Sequence, residues 1–345
     1  MKIVHVIWGL TIGGTESMLC DIVNGQIERG NNVSIIVVNN TIDERITNRI
    51  SSKCTIYKCN RSLQSKNPLP ILRLNILLLR LKPEIIHCHM DNLGKFIKVK
   101  GQAKIVRTIH SNMSSSIDFN CYDKLFSISK SVWKRTMSQG YDSDIVYNGI
   151  HTEYIKVRTS LSFHSPIRII NVGRLEEIKG QQILVQAANI LKSKGIKDFT
   201  IDFIGDGSNH KDLEALINEL KLSDKIRLLG FKDRTYVYNH LCDYDIYVQP
   251  SLSEGFGLSL AEAMSAKLTV IASDLEGPLE VIGEGKYGLS FKTGDANDLA
   301  IKIESLINGK LDINTEYAYK YVKHNFDINS TVDKYLDEYK ELLQH

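Results

Sequence analysis

The stretch Gln249-Pro250-Ser251-Leu252-Ser253-Glu254-Gly255-Phe256-Gly257-Leu258-Ser259-Leu260-Ala261-Glu262-Ala263-Met264 reads as the end of a strand, a glycine loop and the start of a helix. The run before it, Tyr244-Asp245-Ile246-Tyr247-Val248, is apolar and β-branched, and Pro250 stops it. Gly255 and Gly257 let the backbone approach a ligand closely. Helix-start amides near Ser259 and Leu260 face that loop with the helix dipole behind them, which stabilises a phosphate. Glu254 in the loop and Glu262, placed in the first helical turn, bracket it. A carboxylate accepts hydrogen bonds from the vicinal hydroxyls of a sugar or ribose. Phosphate donors between two such acids point to a nucleotide-sugar site. A plainer reading stands beside this one. Ser259-x-x-Glu262 fits a capping box, and Glu254 can be a solvated loop acid.

Outward from this stretch the pattern repeats. Residues 166–172 form a strand and Gly173-Arg174-Leu175-Glu176-Glu177-Ile178-Lys179-Gly180 a loop, followed by an amphipathic helix to Lys194. Strands at 200–204 and 226–229 run into Gly205-Asp206-Gly207 and Gly230-Phe231, and another strand covers 268–272. The first half has the same alternation: a strand at 2–8, Gly13-Gly14, a helix over 16–29, then strands at 32–38, 84–89, 106–110, 124–129 and 144–147. Regular βα alternation predicts parallel, doubly wound sheets. The first glycine loop is not G-x-G-x-x-G and no acid ends the second strand, so a dinucleotide site is not expected. Residues 151–166 lose hydrophobic periodicity and are read as a linker. The expected division is 1–160 and 161–327, with a last helix at 328–345. That helix has a box at Ser330-x-x-Asp333 and an apolar stripe of Val332, Tyr335, Leu336, Tyr339 and Leu342.

A chain of 345 residues favours two domains. Six cysteines without a C-x-x-C pair read as reduced, buried thiols of a cytoplasmic protein. Gly9 interrupts the N-terminal apolar run too early for a signal peptide, and no run reaches the roughly 18 residues of a membrane span. Residues 1–160 hold 22 Lys and Arg against 12 Asp and Glu, whereas residues 161–345 hold 21 against 28. The basic half is expected to meet an anionic surface or substrate, but solvated charge can also divide by chance. Residues 69–82 are a very apolar helix carrying Arg73, Arg80 and Lys82. They fit a core helix, or a membrane-surface helix with snorkelling cations.

His87 and His89 fall on one face of a strand, but no further ligand is spaced to make a metal site with them. His110 ends a strand, where it can donate to a sugar hydroxyl or phosphate or serve as a structural histidine. Asp243-Tyr244-Asp245 is a D-x-D, but it enters an apolar strand.

The set Pro-Ser-x-x-Glu-Gly-Phe-Gly-Leu-x-x-x-Glu-Ala-Met resembles the signature of the retaining GT-B glycosyltransferases of family four, the glycogen-synthase-like group. So do Gly173-Arg174 with Lys179-Gly180, Gly205-Asp206-Gly207, Gly230-Phe231, Asn148-Gly149 and Gly13-Gly14. The resemblance implies an α/β, GT-B fold of two Rossmann-like doubly wound domains facing across a cleft. It implies Glu254, His110, Arg174 and Lys179 as catalytic residues. Arg174 and Lys179, whose tips are expected to converge, would hold the donor's diphosphate. Glu262 would hold the ribose, Glu254 the sugar hydroxyls, and Gly230 and Phe231 the base. Gly207 is included in the donor site, Phe256, Gly257, Leu258 and Ser259 would offer backbone amides, and Gly14 would join His110 from the first domain.

The implied reaction moves a sugar with retention from a nucleotide-diphosphate sugar, a UDP-sugar first, to a glycan or lipid-linked glycan. It needs no metal and no cofactor beyond the co-substrate. Capsule or O-antigen assembly is the expected setting. The enzyme is expected to be cytoplasmic and peripheral on the inner face of the cell membrane. A nucleotide-sugar epimerase of related two-domain fold is the alternative. No nucleic-acid partner is expected.

Overall fold

The computed structural model describes residues 1–110, 119–160 and 162–344. The chain divides into two compact units, Met1–Gly149 with Ile328–His345, and Ile150–Asp327. Unit 1 is built on β1 (Lys2–Ile7), β2 (Asn32–Asn39), β3 (Thr55–Arg61), β4 (Ile85–Cys88), β5 (Lys104–Ile109), β6 (Lys124–Ser127) and β7 (Asp144–Ile145). They pair in the order β3-β2-β1-β4-β5-β6-β7, all parallel. Unit 2 holds β8 (Ile167–Val172), β9 (Phe199–Ile204), β10 (Ile226–Leu228), β11 (Ile246–Gln249), β12 (Thr269–Ser273) and β13 (Leu289–Phe291). Their order is β10-β9-β8-β11-β12-β13, again all parallel. Both units are therefore Rossmann-like α/β, as expected. In each the strand order reverses once, between β1 and β4 or between β8 and β11, and ligands of such sheets bind at the carboxyl ends there.

Continuous apolar strands are what a sheet covered on both faces requires. In unit 1, Val4, Val6, Ile36, Val38, Ile86 and Ile105 pack under Leu74 and Leu78 of the helix Leu69–Leu81. In unit 2, Ile169, Ile201, Phe203, Ile246 and Val248 meet Leu184, Ala188 and Leu191 of the helix Gln181–Ser193. Burying each large side chain contributes about 1.5–3 kcal/mol.

The division falls at Gly149/Ile150, where the expectation put it at 160/161. The aperiodic stretch is not a free tether. Lys156 N–H donates to Tyr238 O (3.0 Å) and Arg158 N–H to Ala266 O (3.0 Å), while the Arg158 guanidinium is buried on Asp245. Leu161 in that stretch and His345 of the last helix lie outside the described residues. The last helix, Ile328–Gln344, begins at Ile328, so Ser330 and Asp333 lie inside it and form no box. Asp333 pairs instead with Arg29. The stripe seats this helix in unit 1, where Val332 fills the space left by the absent side chain of Gly25.

Candidate functional site

The crevice of unit 2 is made of loops stitched to one another through backbone. After β8 the chain makes a short turn at Glu177–Lys179 and leaves through Gly180. Leu252 N–H, in the loop after β11, donates to Ile178 O (2.8 Å). Gly180 has φ +67°, and a Cβ there would stand 2.0 Å from Pro250 O. Gly205 after β9 has φ +145°, and its Cβ would stand 1.9 Å from Gly173 O. Its amide donates to Gly230 O (3.0 Å). Gly207 has a packing reason of its own, since its Cβ would meet Leu175 O at 2.3 Å. Phe231, beyond β10, is 44% exposed.

On this frame Lys179 Nζ donates to Glu254 Oε2 (2.8 Å). Gln249 Nε2, the last residue of β11, approaches the same oxygen (3.3 Å), and Gly255 N–H donates to Oε1 (3.2 Å). Glu254 is therefore a fixed acceptor rather than a solvated loop acid. Gln249 was missed in the sequence because it reads as a strand end. It is 4% exposed, and its Oε1 has no hydrogen-bond partner among the described residues. The tips of Arg174 and Lys179 go to different carboxylates. Arg174 pairs with Glu176, two residues on, at 2.6 Å.

The helix Leu258–Ser265 is capped by Gly257, with φ +104° and no side-chain cap. This overturns the capping box. Ser259 is the helix's second residue, and its Oγ meets Tyr247 Oη (2.7 Å). Glu262 lies beyond the first turn and accepts from Tyr238 Oη (3.2 Å). Leu260 and Ala261 N–H both turn back to Gly257 O (3.1 Å each). The amides of Leu258 and Ser259, not that of Leu260, are thus the ones at the open end of the helix. Phe256 is 2% exposed and meets Phe326 edge-on at 5.1 Å. Its ring belongs to the core, and it can offer a ligand only backbone.

In unit 1, Gly14 is exposed and opens the helix Gly14–Glu28 after the extended Gly13. His110 follows β5, half-buried, with its Nε2 on His89 Nδ1 at 3.2 Å. Register explains the company it keeps. His5 of β1 pairs with His87 of β4, and His89 lies two residues further on the same face. His5 was read only as part of an apolar strand.

His5, His87 and His89 have ligand atoms within 4.8 Å of one another, yet their ring nitrogens are already engaged. His5 Nδ1 meets His89 Nε2 and His5 Nε2 meets Gln26 Oε1, both at 2.8 Å. His87 Nε2 meets Thr108 Oγ1 (2.7 Å) and His87 Nδ1 meets Tyr339 Oη (2.6 Å). An ion would have to break these bonds. Burial depresses His5 to about 4 and His110 to about 3, and holds His87 and His89 well below the ordinary value, so all four are neutral at pH 7. The D-x-D is also spent. Asp245 is fully buried and accepts from His164 Nδ1 (2.9 Å), His164 N–H (3.1 Å) and Arg168 N–H (2.8 Å).

Family models match nearly the whole chain: "Glycosyltransferase Family 4" over residues 12–154 and "Glycosyl transferases group 1" over residues 155–324. An amylovoran biosynthesis glycosyltransferase of Erwinia amylovora, AmsK, is 33% identical over 48% of this chain and 42% of its own length. A Campylobacter jejuni enzyme is 29% identical over 51% of this chain and 47% of its own. It is named N-acetylgalactosamine-N,N'-diacetylbacillosaminyl-diphospho-undecaprenol 4-alpha-N-acetylgalactosaminyltransferase. The chain thus spans less than half the length of either relative. Among solved structures, a glycosyltransferase from Rickettsia africae superposes with TM-score 0.84 at 24% identity, covering 99% of this chain and 98% of its own. Anabaena HepE in complex with UDP superposes with TM-score 0.81 at 19% identity, over 99% and 100%. These two likenesses speak for the fold.

Proposed function

This chain belongs to the group 1 glycosyltransferases of family four, with the GT-B fold, and from that premise we propose its reaction. It moves a sugar from a nucleotide-diphosphate sugar, a UDP-sugar first, to a hydroxyl of a glycan or lipid-linked glycan, with retention and without a metal. The observation that carries the reading is the Lys179–Glu254 pair, held at the crevice of unit 2 beside the open end of the helix Leu258–Ser265. In this structure Lys179 and Glu254 partner each other. A donor separates their tasks: Lys179 turns to the diphosphate and Glu254 accepts from the sugar's hydroxyls. Arg174, on a long and exposed side chain, joins the diphosphate by leaving Glu176. The amides of Phe256, Gly257, Leu258 and Ser259 add fixed positive dipole ends.

Glu262 takes the ribose, and Gly207, Gly230 and Phe231 border the nucleotide. In unit 1, Gly14 and His110 are assigned to substrate contact. The C1–oxygen bond to the diphosphate breaks with its electron pair going to the phosphate oxygen. That oxygen takes the proton of the acceptor hydroxyl as the new C1–oxygen bond forms on the same face. Lys179, Arg174 and the amides stabilise the charge that develops there.

The printed name of the Campylobacter relative supports a lipid-diphosphate acceptor, and that of the Erwinia relative a role in polysaccharide assembly. Among the described residues no helix is long and apolar enough to cross a membrane. We assign the enzyme to the cytoplasmic face of the membrane, which it meets through unit 1. Residues 51–100 hold ten Lys and Arg against two acids. The helix Leu69–Leu81 leaves Leu69, Leu72, Ile76 and Leu79 exposed. Beside it is a groove of about 690 Å³ lined by Arg61, Lys66, Ile71, Leu72, Phe96 and Lys98 among others. Apolar side chains ringed by cations suit an anionic lipid surface.

A hydrolysis and transfer screen of UDP-, GDP- and ADP-sugars in EDTA tests the proposal. The expected result is turnover of a UDP-sugar with retained anomeric configuration. Loss of activity in EDTA restored by Mn²⁺ overturns the metal-free reaction. Conversion of UDP-GlcNAc to ManNAc without an acceptor puts an epimerase in its place.

A further inference from the structure

We infer that Gln26, acting through His5 and His89, fixes the proton of His110 on Nε2 and leaves its Nδ1 as a lone-pair acceptor, so that His110 binds a substrate hydroxyl and not a phosphate. The inference rests on the assignment of His110 to substrate contact, and it is a statement about how that contact is made.

The chain of bonds has one direction. Gln26 is fully buried on the helix Gly14–Glu28, and its Oε1 lies 2.8 Å from His5 Nε2. An amide oxygen only accepts, so the proton is on His5 Nε2. A neutral imidazole carries one proton, so His5 Nδ1 is a lone pair. It lies 2.8 Å from His89 Nε2, which must therefore carry the proton of that ring. His89 Nδ1 is then the acceptor for His110 Nε2 at 3.2 Å. The last free choice, which nitrogen of His110 is protonated, has been made by a glutamine three links away.

The rings stay neutral because charging one of them here costs the hydration it has lost. His5 and His87 are fully buried and His89 is 2% exposed. His87 does not compete for the relay. The Tyr339 hydroxyl, itself fully buried, is hydrogen-bonded to His87 Nδ1 (2.6 Å), and Thr108 Oγ1 to His87 Nε2 (2.7 Å), so both nitrogens of that ring are engaged outside the relay. Thr108 Oγ1 is in turn 2.8 Å from Tyr335 Oη. The helix Ile328–Gln344 thereby orders the neighbouring ring separately.

The chemical consequence is a selection. His110 Nδ1 accepts from a sugar hydroxyl. A phosphate oxygen brings no proton at neutral pH, so it meets that nitrogen as lone pair against lone pair. A chain running the other way would present Nδ1–H and suit a phosphate.

The test reads the proton directly in the intact protein labelled with nitrogen-15 histidine. Long-range proton–nitrogen correlation at pH 7 gives each tautomer, with the His110→Gln spectrum assigning His110. The expected result is Nε2–H at His5, His89 and His110. An Nδ1–H tautomer or a charged ring at His110 overturns the proposal. Gln26→Met removes the anchoring acceptor, and His5→Phe removes the middle link while keeping a ring. Each is expected to turn His110 into a mixture of tautomers and to lower kcat about tenfold, the worth of one hydrogen bond, with the donor KM little changed. An unchanged His110 tautomer in either folded variant sinks the relay. If neither variant folds, the wild-type spectrum decides. The spectrum needs no substrate, so an inactive wild-type enzyme would remove the proposed function and leave this result standing.

Discussion

The two sheets reverse their strand order at the same topological position, yet they fill it with different chemistry. Unit 1 places imidazoles there, 4.1–5.5 Å apart between ring centres, and a chain of hydrogen bonds runs from Gln26 to His110. Unit 2 places the Lys179–Glu254 pair there with Gln249 beside it, and joins the loops around them through glycines that let them touch backbone to backbone. The first arrangement depends above all on protonation state. The second depends above all on main-chain shape. A histidine network suits the discrimination of hydroxyls. A glycine-walled crevice with amide donors suits a diphosphate, which needs dipoles at close range. Each unit should therefore fail under a stress that the other withstands.

Acid is the stress for unit 1, and its effect should be the largest. His5 titrates at about 4 in the folded chain and near 6.5 when unfolded. Above 6.5 both states are neutral and the folded state keeps its full stability. Below it the unfolded state binds the proton first, so stability is lost as pH falls from 6.5 towards 4. By pH 5 His5 alone costs about 2 kcal/mol, and His87, His89 and His110 add in the same direction. Both tryptophans, Trp8 and Trp133, belong to unit 1, so the urea midpoint by tryptophan fluorescence isolates this unit. It should drop steeply between pH 7 and 5. A flat profile would contradict the buried neutral network.

For unit 2 the corresponding stress is a methyl group. Gly205→Ala sets a Cβ 1.9 Å from the Gly173 carbonyl oxygen at φ +145°, a clash that only backbone movement relieves. A loss of about 4 kcal/mol is expected, measured as a fall in the midpoint followed by circular dichroism. Unit 1's fluorescence transition should stay in place. Wild-type stability would mean that the loops are not locked as described.

The ion pair comes next in size. Glu254→Ala and Lys179→Ala should each cost about 100-fold in turnover, the usual loss when one transition-state donor or acceptor is removed, with folding intact. Near-wild-type rates in both would remove the site assignment from unit 2.

How much of this could be read from the sequence follows the same contrast. Strand–glycine–helix punctuation is local, so β1, β8, β9 and β11 and the loops after them were legible. So was the sharing of one face by His87 and His89, which follows from alternation. The relay was not, because His5 meets them only through the register of β1 on β4, and register is a tertiary fact. Gln26 looked like an ordinary polar residue of an amphipathic helix. The edge strand Thr55–Arg61 escaped because, of its seven residues, only Cys59 is buried. The edge strand Leu289–Phe291 is only three residues long. At Ser259-x-x-Glu262 the spacing of a capping box was right, but the helix starts at Leu258, so the box had no cap to make. The glycines carried the right positions with a mixed reason. Gly205 and Gly207 are demanded by packing before any ligand arrives.

The smallest expected effect lies on the outer face of unit 1, where the comparison turns on the helix Leu69–Leu81. The helix Gln181–Ser193 of unit 2 buries seven of its 13 residues, whereas Leu69–Leu81, also of 13, buries four and leaves leucines in solvent. If that face meets anionic lipid, Lys66 and Lys98 at the rim of its groove should each contribute about 1 kcal/mol near the surface. Lys66→Ala combined with Lys98→Ala should then weaken flotation with phosphatidylglycerol vesicles about 30-fold at low salt. The wild type itself should release as ionic strength rises past the point where the Debye length is about 8 Å. Donor hydrolysis in solution should be untouched, because these lysines are on the other unit from Lys179 and Glu254. Equal binding of wild type and variant, or equal binding to neutral vesicles, would leave the leucines as an exposed face without a lipid partner. It would break the contrast between the two helices without disturbing the chemistry assigned to unit 2.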